Sequence, residues 1–245
     1  MGIIVLDIEV LKQDPEPFMV KDQSEIRAPA NYKDPDKIAA YIEQAAASQV
    51  DDLRNKSSLE PLLGGTVFAV GIAVNTDAPK ALLAPTGDEA GEREVLAKLQ
   101  AGLKAHEGKL LVTWNGARYD LEFLRKRALR HGLYELARRC YFDKPWARGH
   151  IDLFPVWQGN NREAVGKLHQ VCSFLGIESD DKVAGGQISD LYLAGMVDAV
   201  RDHVLEDVRL TRELFYRFRS AGWVVTEGPD SPVELPVRPP RGGAA

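Results

Sequence analysis

The segment from Gly2 to Val10 constrains this chain most, because it places two carboxylates inside an apolar run, GIIVLDIEV. The run is short, rich in Ile and Val and without helical periodicity, which predicts a buried β-strand. Side chains two residues apart on a strand point to the same face, so Asp7 and Glu9 project to one side of the sheet. Burial of two ionised groups without partners is unfavourable. The pair indicates either a compensating cation or a solvent-filled cleft, the alternative being an edge strand with a solvated face.

Apolar patterns along the rest of the chain predict an α/β fold. Further strands are predicted at Thr66 to Val74, Lys80 to Ala84 and Lys109 to Trp114, and helices at about residues 35–59, 89–103, 118–131, 165–175 and 197–215. The consecutive early strands suggest an antiparallel meander, and the later order of strand, helix and strand suggests a βαβ unit. We expect a mixed sheet flanked by helices.

Residues 1–224 are predicted to form one domain. Residues 11–63 break the strand pattern and are interpreted as an insertion, which could be a lid over the site, an arm that docks a partner, or a dimer contact. Residues 225–245 are rich in Pro and Gly, and we expect them to be disordered. The two cysteines exclude a disulfide-dense scaffold and an all-cysteine zinc site. No apolar run is long enough to span a membrane and no signal peptide is evident, so we expect a cytoplasmic protein of open oligomeric state.

Two other segments carry polar residues at positions suited to chemistry. In TWNGARYDLEFL, Asn115 and the following glycine turn the chain out of a strand, and Asp120 lies in the first turn of the next helix. The helix dipole favours an ionised carboxylate there, although an isolated Asp could equally be a plain charge at the helix N-terminus. In HVLEDVRLT, His203 and Asp207 are four residues apart and share a helix face. His203 alone is as consistent with a partly buried, hydrogen-bonded histidine as with a catalytic one.

Four carboxylates could hold divalent cations if they converge: Asp7, Glu9, Asp120 and Asp207. Mg²⁺ and Mn²⁺ prefer hard oxygen ligands. Two such ions about 4 Å apart can clamp the attacking and leaving oxygens of a phosphodiester. The ions would offset the repulsion between an anionic diester and its nucleophile.

The chain resembles the DEDD superfamily of 3′-5′ exonucleases, which have a ribonuclease-H-like fold. The resemblance rests on three motifs, Asp7 to Glu9, Asn115 to Asp120 and His203 to Asp207. The segments GTVFAVGIAV, HIDLFPV and KLHQVCSFLGI extend it over nearly all of residues 1–219 except the insertion, and the chain is similar to stand-alone, polymerase-B-like predicted exonucleases. This resemblance implies a ribonuclease-H-like mixed sheet and metal-dependent 3′-5′ exonuclease activity.

The resemblance also implies roles for single residues. Asp7 would bridge both metal ions. Glu9 and Asp207 would complete one ion site, and Asp120 would support the other. Position 203 departs from the family, because one branch has Tyr four residues before the last Asp and another has His five residues before it. Either His203 replaces that tyrosine in activating water, which the near-neutral titration of histidines favours, or the role is lost and turnover is slow.

Net charge argues against a protein that coats a polyanion, since 31 Lys and Arg face 36 Asp and Glu, a formal charge of −5. Residues 125–148 nevertheless carry a local +6. This basic segment could guide a phosphate backbone, and nearby aromatic rings could stack on bases; the alternative is a solvated helix face with aromatics in the core. The basic residues are Arg125, Lys126, Arg127, Arg130, Arg138, Arg139, Lys144 and Arg148, and the aromatic residues are Tyr119, Tyr141, Phe142 and Trp146.

Four residues are candidates for substrate binding: Asn115, Tyr119, Arg125 and Lys182. Gln187 lies in the same Gly-rich turn as Lys182 and could also contact phosphate. Asp152 is expected to cap a helix.

We therefore expect an exonuclease that removes nucleotides from the 3′ end of single-stranded DNA with two Mg²⁺ or Mn²⁺ ions. The motifs do not distinguish this activity from that of a 3′-5′ exoribonuclease. The alternative from another class is a catalytically weak or inactive module that binds nucleic acid or a polymerase. No polymerase domain follows in the sequence, so a proofreading or repair role is expected to need a DNA polymerase or repair protein acting in trans.

Overall fold

The strands of this protein form one mixed sheet. A computed structural model describes residues 2–142, 149–161, 163 and 166–224. Within them the strands are β1 (Ile3–Leu11), β2 (Thr66–Val74), β3 (Lys80–Leu83), β4 (Leu110–Thr113) and β5 (His150–Asp152). The order across the sheet is β3-β2-β1-β4-β5, with β1, β2 and β3 antiparallel and β4 parallel to both β1 and β5. The predicted meander is present, and the α/β fold with a mixed sheet is confirmed.

Helices flank this sheet. They are α1 (Pro35–Ser57), α2 (Glu89–Ala105), α3 (Asp120–Arg130), α4 (Tyr134–Arg139), α5 (Leu153–Gln158), α6 (Leu168–Phe174), α7 (Ile188–Leu193) and α8 (Val197–Ser220). The sequence pattern does not predict α4, α5 or α7, which have six residues each. Elements of this length do not complete two helical turns and so leave no clear period.

Strand β1 separates two hydrophobic cores. Leu6 and Ile8 belong to a core that includes Leu96 of α2 and Leu124 of α3. Val5 belongs to a second core, formed with α6 and the C-terminal half of α8. Odd-numbered residues of β1 share the face of Val5. The carboxylates at positions 7 and 9 therefore point to the side of the sheet where α8 crosses β1 and β2.

The segment predicted as an insertion contains α1 and short 3-10 turns. The backbone N–H of Gln13 donates to Ser57 Oγ at 2.9 Å, and Gln13 Nε2 donates to Thr66 Oγ1 at 2.8 Å. Arg54 Nε donates to Asp14 Oδ1 at 2.7 Å. Ser57, the last residue of α1, is fully buried. These contacts tie the beginning of the segment to the end of α1 and to the beginning of β2.

A glycine marks the end of helix α6. Gly176 follows α6 with a φ of 70°, the left-handed conformation in which glycine commonly ends a helix. None of the helices in the described ranges is long and apolar enough to cross a membrane.

The predicted tail, residues 225–245, lies outside the described residues, as do Val165, Lys144, Trp146 and Arg148.

Candidate active site

Three carboxylates from β1 and α8 converge on one face of the central strand. Asp7 and Glu9 come from β1 and Asp207 comes from α8, and one oxygen of each lies within 4.8 Å of the others. Glu9 is buried, whereas Asp7 and Asp207 are partly exposed. These three residues are called the carboxylate cluster below. The sequence predicts all three as metal ligands, and the fold brings them together.

Asp120, the fourth predicted ligand, is the first residue of α3 and lies beside the carboxylate cluster. Beyond Val5, β1 no longer pairs with β4. The backbone N–H of Ile8 donates instead to Asp120 Oδ1 at 3.2 Å. The side chain is buried, and its charge raises the pKa of both Asp7 and Glu9. Asp120 thus acts on the cluster electrostatically without belonging to the group of three.

Burial and mutual repulsion set the acidity of these carboxyl groups. Burial raises the pKa of Asp7 and Glu9 well above the usual values, and the neighbouring carboxylates raise it further. Burial also raises the pKa of Asp120 to about 7, against the hydrogen bonds from its own N–H and that of Ile8. A divalent cation would favour the ionised forms instead. Because the cluster offers only carboxylate oxygens, it suits a hard cation.

Asp152 holds the turn that leads into Asp120. Its carboxylate accepts hydrogen bonds from the backbone N–H groups of Asn115 at 2.7 Å, Ala117 at 3.0 Å and Phe154 at 3.1 Å. The bond from Phe154 is the predicted helix cap, at the start of α5. The other two bonds fix a turn in which Asn115 has a φ of 61°, a conformation that Asn tolerates better than most residues. The position of α3 therefore depends on a side chain from β5.

His203 lies between the carboxylate cluster and the loop after α6. Its buried ring forms a hydrogen bond between Nδ1 and Asp181 Oδ2. Nε2 lies 3.3 Å from Glu9 Oε1 and 4.0 Å from Asp207 Oδ2. Both nitrogens thus face acidic groups. An active-site histidine and a hydrogen-bonded buried one are both consistent with this position.

Two polar residues of the site are not predicted from the sequence, His169 of α6 and Asp181 of the loop that follows. His169 Nε2 forms a hydrogen bond of 2.7 Å with Asp207 Oδ1, which raises the pKa of the imidazole. The ring also stacks against His203, with centroids 6.2 Å apart. The one local signal for His169 is its place between two buried apolar positions of a helix. Asp181 carries no comparable signal.

The candidates for substrate binding occupy different places around the site. Asn115 is partly exposed in the turn before α3. The Tyr119 hydroxyl donates to the carbonyl oxygen of Ser58 at 2.8 Å, so this ring connects the site to the end of the insertion. Lys182 and Gln187 are exposed. Their contact with a substrate remains a proposal.

The basic segment is only partly an open surface: Lys126, Arg130 and Arg138 are exposed, but one member lies in the core. Arg127 is buried, and its Nε donates to Glu92 Oε1 at 2.9 Å. Its expected contact with phosphate is therefore wrong, because a side chain enclosed by the core cannot reach a strand. Arg125 is partly exposed and forms an ion pair with Glu122 at 2.7 Å.

Comparison with known proteins gives one family and one fold. The family model described as "Predicted 3'-5' exonuclease related to the exonuclease domain of PolB" matches residues 66–227, a range that includes α3 and α8 and begins after β1. Among solved structures, the family B DNA polymerase from the hyperthermophilic archaeon Pyrobaculum calidifontis is similar, with a TM-score of 0.58 and 16% sequence identity. The similarity covers 89% of this chain and 24% of the polymerase chain, so this chain spans about a quarter of the polymerase's length. No curated protein matches the chain.

Proposed function

The chain belongs to the family of predicted 3′-5′ exonucleases related to the exonuclease domain of PolB, and from this premise we propose that it removes nucleotides from the 3′ end of single-stranded DNA. The reaction would use two Mg²⁺ or Mn²⁺ ions. The convergence of Asp7, Glu9 and Asp207 supports this proposal best. Three acidic side chains held this close on a largely buried face are unfavourable unless a cation offsets their repulsion.

The donor set suits such a cation. Among the residues that the structure describes, the ion pairs of Glu9 and Asp207 are with histidines, and none joins the carboxylate cluster to Lys or Arg. In the proposal, Asp7, Glu9 and Asp207 hold the ions and Asp120 supports them from α3. Bound Mg²⁺ or Mn²⁺ would supply the positive charge that draws an anionic diester into this acidic site and stabilises the transition state.

His203 is proposed to accept a proton from the attacking water at Nε2. Its Nδ1 is bonded to Asp181, and Nε2 faces the carboxylate cluster, 3.3 Å from Glu9 Oε1. A carboxylate bonded to one ring nitrogen fixes the orientation of the other, as in other catalytic histidines. In this role His203 would replace the tyrosine of similar exonucleases.

A catalytically weak module of the same fold is the second candidate function. One observation favours it: both nitrogens of His203 face carboxylates, and Nε2 lies beside an oxygen of Glu9 that the metal site would need. Such a protein would bind a 3′ end, or a polymerase acting in trans, and cleave slowly or not at all.

The test uses 5′-labelled single-stranded DNA and RNA, each incubated with Mg²⁺, Mn²⁺ or EDTA. Stepwise shortening of the DNA from its 3′ end is expected with either metal and none with EDTA. Asp7→Asn should abolish shortening, whereas Asp52→Asn, at an exposed position of α1, should keep the wild-type rate.

The remaining outcomes separate the candidates. Shortening of RNA alone would identify an exoribonuclease. Retained binding of the strand without cleavage would identify the weak module. Absence of both binding and cleavage would overturn the exonuclease and would leave, of the second candidate, only a module that binds a polymerase.

A further inference from the structure

Four side chains next to the carboxylate cluster form a second group of potential metal ligands. They are His169 of α6, Asp181 of the following loop, and His203 and Asp207 of α8, and we call them the His-Asp cluster. One nitrogen of each ring and one oxygen of each carboxylate lie within 4.8 Å of one another. Asp207 is the one residue that the two clusters share. The His-Asp cluster therefore has a different composition, with two imidazole nitrogens among four donors.

The separations between these atoms are those of a compact site. A tetrahedral ion with metal–ligand bonds of about 2.0–2.2 Å keeps its ligand atoms about 3.4 Å apart. His169 Nε2 lies 2.7 Å from Asp207 Oδ1 and 4.0 Å from Asp181 Oδ2. His203 Nε2 lies 4.0 Å from Asp207 Oδ2. These distances lie on both sides of the expected separation. They involve both oxygens of Asp207, and His203 bonds Asp181 through Nδ1 rather than Nε2, so side-chain rotations would have to bring one atom of each residue to a single ion.

A cavity gives cations access to this cluster. Its volume is about 630 Å³, and Asp181 and His203 form part of its wall. Four more acidic residues line the same cavity, together with Arg209. They are Glu178, Asp180, Asp202 and Glu206. A concave surface with this charge attracts cations and repels a nucleic acid strand. The cavity thus provides the entry path that a metal site requires.

We propose that the His-Asp cluster binds a divalent transition-metal ion of the zinc type. Imidazole nitrogens favour Zn²⁺ over Mg²⁺, which prefers oxygen ligands and retains its water. Asp181 is held for this role by the backbone N–H of Val183, which donates to its Oδ1 at 2.9 Å. The site shares Asp207 with the carboxylate cluster and His203 with the proposed hydrolytic site, so an ion bound here would compete with the proton transfer proposed for His203. His169 and Asp181 belong to the His-Asp cluster alone, and variants of these two residues therefore test it separately.

The experiment measures metal uptake by protein purified without a polyhistidine tag, in excess Mg²⁺. Wild-type protein should bind one Co²⁺ with the visible absorption of a tetrahedral site, and one equivalent of Zn²⁺ should remove that absorption. His169→Ala and Asp181→Asn should each weaken Co²⁺ affinity by more than about 10-fold. His106→Ala, at the end of α2, is the matched control and should bind as wild type does. Glu9→Gln should keep the absorption, since Glu9 belongs to the carboxylate cluster only.

The other outcomes overturn the proposal. Failure of wild-type protein to bind Co²⁺ and Zn²⁺ in stoichiometric amount would do so directly. Equal Co²⁺ affinity in wild type, His169→Ala and Asp181→Asn would show that the ion lies elsewhere. Binding lost in Glu9→Gln and kept in His169→Ala would assign the ion to the carboxylate cluster. Circular dichroism identifies any variant that is unfolded, and failure of the wild-type protein to bind overturns the proposal without any variant.

Discussion

Gly71 of β2 stands directly opposite Asp7 of β1 in their antiparallel pair. A Cβ at residue 71 would lie 2.6 Å from Val208 Cγ2 and 2.7 Å from the carbonyl oxygen of Val204, both on α8. The absence of a side chain lets α8 approach the sheet at the level of Asp7. This close approach brings Asp207 of the same helix to the carboxylate cluster.

Gly71→Ala is therefore expected to lower the free energy of unfolding by about 1–3 kcal/mol, because the backbone of α8 has to move. The rate at which the protein shortens DNA from its 3′ end should also fall, because Asp207 moves with α8. Gly102→Ala in α2 is the matched control, since no atom beyond the neighbouring backbone of the helix itself lies within 4 Å of a Cβ there and Ala is favoured over Gly in a helix by about 0.5–1 kcal/mol. Urea unfolding compares the two. A wild-type urea midpoint for Gly71→Ala would contradict the close packing of α8.

Asp152→Asn is expected to disturb the turn before Asp120. The carboxylate accepts three backbone hydrogen bonds with both oxygens, whereas an amide accepts with one oxygen only. The free energy of unfolding should fall by about 1.5–3 kcal/mol, and hydrolysis should slow. Asp88→Asn is the control, because Asp88 accepts from the Gly91 N–H and from the Thr86 hydroxyl with the same oxygen, Oδ1, which Asn also offers, and Asn caps a helix as well as Asp does. Equal thermal stability of the two variants would be inconsistent with this role for Asp152.

His150 should make the protein less stable in acid. Burial lowers the pKa of its ring to about 4 from the usual 6.5. The unfolded chain takes up this proton below about pH 6.5 and the folded chain only below about pH 4, so stability falls by about 3 kcal/mol as the pH decreases between these values. The ring also lies 2.9 Å from Thr113 Oγ1. At pH 7, His150→Gln should have a lower free energy of unfolding than wild type. Between pH 7 and pH 4 that free energy should decrease less in the variant than in wild type, as measured by urea unfolding. The same decrease in both proteins would show that His150 is not the cause of the acid sensitivity.

In metal-free protein, the titration of Asp120 should make the fold less stable as the pH rises, which is the opposite of the effect of His150. Its pKa is raised to about 7, chiefly by burial, so the folded chain holds a proton that the unfolded chain releases above about pH 4. That contribution to stability is lost as the pH rises through about 7. Mg²⁺ or Mn²⁺ should raise the unfolding temperature more at about pH 8 than at about pH 6, because at the lower pH the ion has to displace the proton on Asp120. Asp120→Asn should be more stable than wild type without metal at about pH 8 and respond less to metal; thermal scans that show neither effect would refute the assignment.

Local sequence patterns predict the elements whose periodicity is complete. β2 has the predicted bounds, Thr66–Val74, and the apolar face of α3, formed by Leu121, Leu124 and Ala128 at helical spacing, is buried. β5 has three residues, too few for an alternating pattern, and its place beside β4 depends on the tertiary fold. The alternation along β1 is likewise enough to predict that Asp7 and Glu9 share a face.

The unpredicted part of the site depends on packing between distant elements. Helical spacing relates His203 to Asp207, but no spacing rule relates either residue to His169 of α6 or Asp181 of the loop. Their contacts exist because α6 packs on α8, which only the folded chain shows.

The burial of Arg127 could not be predicted from the charges along the chain, because it too depends on packing between distant elements. Its partner Glu92 is 35 residues earlier and lies on α2. Glu92 is fully buried and also accepts the Val67 N–H at 2.8 Å and bonds to His131 Nε2 at 2.7 Å. The guanidinium therefore neutralises a carboxylate inside the core rather than adding to a basic surface.

Arg127→Ala is expected to destabilise the fold rather than to weaken nucleic acid binding alone. It leaves the buried Glu92 carboxylate without its cation, which costs about 3–5 kcal/mol. Arg125→Ala is the matched comparison, because Arg125 pairs with Glu122 nearer the surface, and exposed pairs contribute about 0–1 kcal/mol. Its guanidinium lies 5.3 Å from the centre of the Tyr141 ring. Because Arg125 is a candidate for substrate binding, binding of labelled single-stranded DNA should fall in this variant at nearly unchanged stability. Urea unfolding separates the two variants, and wild-type stability of Arg127→Ala would mean that the other donors suffice to hold Glu92.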